Sequence, residues 1–446
     1  MHSDQDLAAA LLAAARKAGA EAANALVVSA TSNGVGVRGG ALEEAERSEG
    51  RDLGLRVLIG LHQACVSWSD ARSETLAEMA ERAVTMAREA PEDPWCGLAA
   101  PSELGPLPEA AALDIADPAE PPAPAALEQS ALAAEAAALA VAGVTQVEQA
   151  SASWSLSRVT MAATNGFAGS YVRTGAGIGV SAVAGEGLGR ERDYAHEARV
   201  YRADLPDPAE VGSKAGRRAA ERLAPRKPPS GRYPVLYDEW VAASLIGHLL
   251  AAINGIAIAR GASWLRAAMD TRILPEGFDV VENSLIPRGR ASRPFDAEGF
   301  AATRKPLVAN GVLRSWLLDL ATARQLGLNT TGNARRSVAA PPSPSVSNIR
   351  VTKGASCRDD LIRQMGTGLV VTSMIGASVN PTTGAYSRGA TGFWVEAGVI
   401  AFPVNEVTVA GSLPEMVRTL IPANDADPNK AHSVPSLLVE GLTVGA

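Results

Sequence analysis

His248 lies four residues after Ser244 in the apolar run "VAASLIGHLLAAINGIAIARG", Val241 to Gly261. That spacing puts both side chains on one face of a helix. A serine beside a histidine could begin a nucleophile–base pair. No acid stands at a local spacing that would orient the imidazole, so the plainer expectation is two polar groups satisfying each other or the backbone. Other chemical patterns fail on inspection. "GVGVRGG" places Gly34, Gly36 and Gly39 in a G-x-G-x-x-G array, but "ALEEAERSEG" behind it lacks the apolar stripe of a dinucleotide-binding helix. It reads as a glycine-rich hairpin. "HEARV" starts at His196 like a zinc helix, yet Val200 stands where the second histidine is needed, and the alternation in "YAHEARVY" is that of a strand. Cys65, Cys96 and Cys357 form no CxxC pair and no disulfide framework, which fits a reducing, cytoplasmic setting.

The apolar run is also long enough to cross a membrane: Trp240 to Ala259 is 20 residues without a charge. Ser244, His248, Asn254 and two glycines interrupt it, and no second segment resembles it. A helix buried on all sides by protein is expected instead.

The elements around this run set the fold class. Ser3 or Asp4 caps a first helix. A β meander follows, punctuated by "SNG", "RGG", "SEGRD" and "IGLH". Leu76, Met79, Ala80, Ala83, Val84, Met86 and Ala87 then form one helical stripe. After a proline-rich stretch at 97–126, helix, meander and helix recur, with "RDLGLRVLIG" and "RTGAGIGVSAVAG" in corresponding places. The expected fold is α+β. Residues 1–225 form an N-terminal domain of two related helix/antiparallel-meander halves, about 1–95 and 127–225. Residues 226–446 form a mainly antiparallel β domain around a central buried helix. The formal charge of −7 argues against nucleic acid as a direct partner.

At this point the C-terminal half resembles the TldD/PmbA family, closest to its PmbA (TldE) branch. "GRYPVLYDEWVAASLIGHLLAAINGIAIARGASWL", "SRPFDAEG" and "VNPTTGAYSRGATGFWVEAGVIAFPVNEVTVAGSL" carry the resemblance, with "GRDLGLRV" and "APEDPW" in the N-terminal half. The resemblance implies a subunit that pairs with a TldD-like zinc metallopeptidase to process or degrade unfolded peptides. Family members are linked to microcin maturation and antitoxin turnover. In the TldD-like subunit zinc is held by a His-Glu-x-x-x-His helix and a cysteine near the C-terminus. Aligned on the histidine, Ala243 replaces the first ligand, Ser244 replaces the catalytic glutamate, and His248 matches the second ligand. The C-terminal stretch "NDADPNKAHSVPSLLVEG" holds no cysteine, only His432. A catalytic zinc needs about three protein ligands and a base beside its water. The expectation is therefore no catalytic residue, no metal ligand and no cofactor in this chain, with zinc in the TldD-like partner and a homodimer when the chain is isolated. Asn380, Tyr386 and Arg388 of the "NPTTGAYSRG" loop are candidates to line a peptide or partner channel; a plain structural turn is the competing reading. Two alternatives stand beside this one. One is an autonomous peptidase using His248 and His432. The other is a binding protein that modulates DNA gyrase, as an old family name has it.

Overall fold

The computed structural model describes residues 3–446. Ser3 starts helix α1 (Asp4–Ala18): its hydroxyl accepts from the Asp6 N–H while the Asp6 carboxylate accepts from the Ser3 N–H. This reciprocal cap satisfies two N–H groups that a helix start leaves open. Strands β1 (Ala22–Arg38), β2 (Ala41–Ile59) and β3 (His62–Trp68) follow, and helix α2 (Ser73–Glu89) closes the unit. Its buried stripe is the expected one except at Met86, which is exposed. Met86 lies about 100° around the helix from Ala87, off the packed face. Helix α3 (Pro124–Leu139), strands β4 (Val144–Ala163), β5 (Ala168–Ala184) and β6 (Glu191–Arg199), and helix α4 (Pro208–Ala220) repeat the same order. All six strands form one antiparallel sheet, β3-β2-β1-β4-β5-β6, and the two units meet where β1 pairs with β4.

Two strands run through their sequence punctuation. β1 continues across "SNG" and β2 across "SEGRD". Over this stretch β1 bonds to β2 on one side and β4 on the other, and satisfied ladder bonds outweigh the turn preference of Asn33–Gly34. The chain does turn at "RGG" and "IGLH", where Gly39, Gly40 and Gly60 take positive φ. Helices α3 and α4 meet almost backbone to backbone. A Cβ on Gly212 would come within 1.9 Å of the Ala134 carbonyl oxygen, so only glycine fits there.

The C-terminal region begins with β7 (Gly231–Tyr237), α5 (Glu239–Ala252) and α6 (Gly255–Ala259). β8 (Val280–Asn283), β9 (Arg304–Ala309), β10 (Val312–Leu313), α7 (Leu320–Leu326), β11 (Ala334–Arg335), β12 (Ser343–Pro344) and β13 (Ile349–Val351) make its middle. α8 (Arg358–Met365), β14 (Gly368–Val379), β15 (Ala385–Glu396), β16 (Val399–Ser412), α9 (Leu413–Met416), β17 (Ile421–Pro422), β18 (His432–Ser433) and β19 (Leu437–Gly445) complete it. The main sheet runs β16-β15-β14-β7-β19-β17, and an extra β16–β19 pairing closes it on itself. The β7–β14 and β13–β18 pairs are parallel. This is the α+β class expected, with β predominant in the C-terminal region.

The long apolar run is two helices. Asn254 breaks it, its Oδ1 accepting the Ile256 N–H at 3.0 Å to start α6. Gly255 presses on α7, where a Cβ would sit 2.6 Å from the Thr322 hydroxyl. Among the described residues no helix is long and apolar enough to cross a membrane. Nor is α5 buried on every side. Ala242, Leu245, Ile246, Leu249 and Leu250 face the core, while Ala243, Ser244, Gly247 and His248 are half-buried and Ala251 is exposed.

Candidate functional site

The half-open face of α5 is the face that carries positions 243, 244 and 248. The helix is held at its start. Asp238 caps it by accepting from the Trp240 N–H, and pairs with Arg358 at 3.1 Å. Glu239 pairs with Lys430 at 2.7 Å. The Trp240 ring collects three cations, Lys430 at 4.4 Å, Arg218 at 4.8 Å and Lys214 at 5.3 Å from its centroid. Two of these come from α4, so this cation–π cluster ties α5 to the N-terminal region.

Ser244 does not meet His248. Its hydroxyl donates to the Val241 carbonyl, 2.7 Å away and within the helix. The backbone half of the expectation for this pair holds, but His248 is left out: its Nε2 is buried without a hydrogen-bond partner. The imidazole instead packs edge-to-face on Tyr386 with ring centroids 5.9 Å apart. Burial pushes the His248 pKa below the ordinary histidine value, and the Arg388 charge pushes it the same way. The ring is therefore a neutral imidazole near pH 7.

Three of the positions singled out in the sequence thus come together. His248 and Tyr386 touch, and Arg388 acts on both through its charge while its Nε donates to the Gly376 carbonyl at 2.7 Å. Tyr386 is mostly buried, and its hydroxyl donates to the Met374 sulfur at 3.2 Å. Asn380 stays apart in the hairpin turn, where its Oδ1 accepts from the Thr382 and Thr383 N–H groups. Asn380 and Tyr386 do border an open groove of about 600 Å³ with Pro381 and Gly411. Tyr237 belongs to this cluster and was not singled out. It is fully buried, and its hydroxyl lies 3.4 Å from that of Tyr386. Burial and the neighbouring Tyr386 push its pKa well up. Its position at the end of β7, directly before the α5 cap, was the available signal.

His432 has different surroundings. It sits on β18, paired with Ile349; burial pushes its pKa below the ordinary histidine value and the Arg350 charge acts the same way, against the Ser347 backbone and Glu282. Among the described residues no three His, Cys, Asp or Glu side chains converge as a metal cage would require. The α5 face itself does not fit zinc: an alanine, a serine bonded back into the helix, and one histidine cannot supply three ligands and a base.

The fold is α+β, with a helix running off one strand of the closed C-terminal sheet and presenting Ala243, Ser244 and His248 on its half-open face. Residues 230–446 match the description "PmbA/TldA metallopeptidase C-terminal domain". Residues 116–223 match the central domain of the same family, and residues 23–87 its domain 1. Metalloprotease PmbA of Escherichia coli O157:H7 is 33% identical over 434 residues, 97% of this chain and 93% of that protein. The chain belongs to the PmbA/TldD family. A TldD homolog from Buchnera aphidicola is 26% identical over 253 residues, 52% of each chain. Among solved structures, a candidate modulator of DNA gyrase from Bacteroides thetaiotaomicron superposes with a TM-score of 0.91 at 24% identity, covering 100% of both chains. TldE from Thermococcus kodakarensis superposes at 0.85 with 18% identity, covering 99% of this chain and 100% of that one.

Proposed function

We propose that this chain is the non-catalytic subunit of a peptide-processing pair, whose partner is a TldD-like zinc metallopeptidase. The observation that carries the reading is the α5 face, with Ala243, a self-bonded Ser244 and an unpartnered, neutral His248 where zinc chemistry would need two ligands and a carboxylate. Peptide hydrolysis at zinc needs a base that can take a proton from the bound water. Serine bonded to its own helix has no such capacity. The existence of TldD-named and TldE-named relatives supports a division of labour between two chains. The substrate class is unfolded peptide, and the zinc belongs to the partner.

The test is co-expression with a family member that carries the intact His-Glu-x-x-x-His helix, followed by affinity purification through a tag on this chain. Stoichiometric co-purification of the two chains is the expected result. Their separation as independent species at micromolar concentration counts against the reading.

A further inference from the structure

Where the N-terminal sheet meets the C-terminal region, a cavity of about 370 Å³ is lined by five arginines: Arg173, Arg290, Arg293, Arg335 and Arg336. Small-ligand sites typically span roughly 300–1,000 Å³. None of the five makes an ion pair with a carboxylate among the described residues. The carboxylate on the wall, Asp296, accepts from the backbone N–H groups of Glu298, Phe300 and Ala334 and feels the Arg293 charge, though no ion pair forms between them. The Nη2 atoms of Arg293 and Arg336 are buried with no hydrogen-bond partner. Arg173 is braced by the Arg290 carbonyl at 2.6 Å, which fixes its fork. Arg173, Arg293 and Arg336 are half-buried while Arg290 and Arg335 are exposed, and an uncompensated, desolvated guanidinium is unfavourable in a free protein. Burial lowers the pKa of Arg173, and Arg290, Arg293 and Arg335 lower it further by repulsion.

The remaining wall is apolar. Leu26, Val28, Met161, Tyr171 and Phe295 form it, with Tyr171 and Phe295 edge-to-face at 5.4 Å. The register explains the arrangement. Leu26 opposes Met161, and Val28 opposes Val159, which opposes Tyr171, so these side chains share one sheet face. Further along that face, Ser157 opposes Arg173, Ser155 opposes Gly175, and Ser153 opposes Gly177. This serine–glycine stretch floors a second, more open cavity that shares Arg173 and Arg290 with the first.

We propose that the arginine cavity binds the terminal carboxylate of a peptide. The last side chain packs on Leu26, Met161 and Phe295, and the preceding backbone lies over the serine–glycine floor. Guanidinium forks match a carboxylate in two parallel hydrogen bonds. Small floor residues let a backbone approach closely. This rests on the peptide-handling reading, but it requires neither zinc nor a partner subunit, so the two can fail separately.

The test is calorimetric titration of the isolated full chain with N-acetyl-alanyl-leucine, its C-terminal amide, N-acetyl-alanyl-glycine and inorganic phosphate. The free acid should bind, and the amide should bind at least about tenfold more weakly. The glycine compound should lie between them, and phosphate should bind more weakly than the leucine acid. Arg173→Gln should weaken the acid at least about tenfold and Arg173→Lys less so, because lysine keeps the charge but loses the fork. Equal binding of acid and amide overturns the proposal. So does no binding of the acid by the wild-type chain at about 10 mM, or phosphate binding as tightly as the leucine acid. The wild-type comparison stands even if a variant fails to fold.

Discussion

The α5 face and the arginine cavity treat polar groups in opposite ways. On α5 the groups are small or neutral: Ala243 is inert, Ser244 bonds its own helix, and His248 is an uncharged ring against Tyr386. In the cavity five guanidinium groups converge, Arg290 and Arg335 exposed and the other three half-buried, and among the described residues none is ion-paired with a carboxylate. A face that performs chemistry must hold ionisable groups in place. A face that only lines a chamber can dispense with them. Uncompensated charge persists where a ligand completes it. We propose that the cavity holds an anion and that α5 leaves peptide cleavage to a partner chain.

The sharpest way to break this contrast is to supply the missing charge. Ser157 opposes Arg173 on the cavity face. Ser157→Asp should raise the unfolding free energy by about 1–2 kcal/mol through a charge-assisted hydrogen bond, and should abolish binding of the free-acid peptide. Denaturant unfolding and calorimetry read the two effects. A destabilised variant would mean the arginines are already compensated.

A smaller effect is expected just behind the cavity. Glu298 is buried, and burial with the neighbouring Asp296 and Asp319 pushes its pKa well up. The unfolded glutamate ionises at its ordinary value while the folded one resists. Stability is therefore lost as pH rises above about 4.5, toward the folded pKa. Glu298→Gln removes that loss, and its Oε1 can still accept the Leu320 N–H, now bonded to the Glu298 carboxylate at 2.9 Å. Its advantage over wild type, about 1 kcal/mol at pH 8, should shrink at pH 5. Thermal unfolding at both pH values checks it, and a pH-independent difference would contradict the assignment.

His248 gives the opposite sign. Its pKa is depressed in the folded chain, so below about pH 6.5 the unfolded chain takes up a proton that the folded chain resists. Stability falls as pH drops through that region, and His248→Phe should flatten this part of the profile measured by denaturant titration. His196 and His432 are depressed by burial too, so the variant flattens the slope without removing it. An unchanged slope would show that His248 titrates freely. The least effect is expected from Ser244→Ala, within about 0.5 kcal/mol of wild type, with the peptidase rate of the assembled pair unchanged. A large rate loss would mean Ser244 takes part in chemistry.

Much of the framework was legible because local rules decided it. Ser3, one of the two residues expected to cap the first helix, is the one that caps it. The "RGG" and "IGLH" turns form, with positive φ at Gly39, Gly40 and Gly60. "SNG" and "SEGRD" misled because strand pairing on neighbouring strands overrode the local preference for a turn. The length of the apolar run misled for another reason: Asn254 caps a second helix, and Gly255 lets α7 approach. The α5 positions could be read from a resemblance, but their contacts could not. His248 meets a tyrosine from β15, and Arg173 meets residues of the 290s and 330s. No spacing rule reaches across such separations. The arginine cavity was invisible in a chain whose net charge is negative, since convergence of five scattered cations is a property of the packed halves.

We propose that this chain carries no catalytic zinc centre. The most direct test is metal content and peptidase turnover, measured on the purified chain alone and again after assembly with a TldD-like subunit. The account predicts no stoichiometric zinc and no turnover for the chain alone, with both present in the pair, and turnover but not zinc lost when the partner's motif glutamate is changed to glutamine. Stoichiometric zinc with peptide turnover by this chain alone would contradict it.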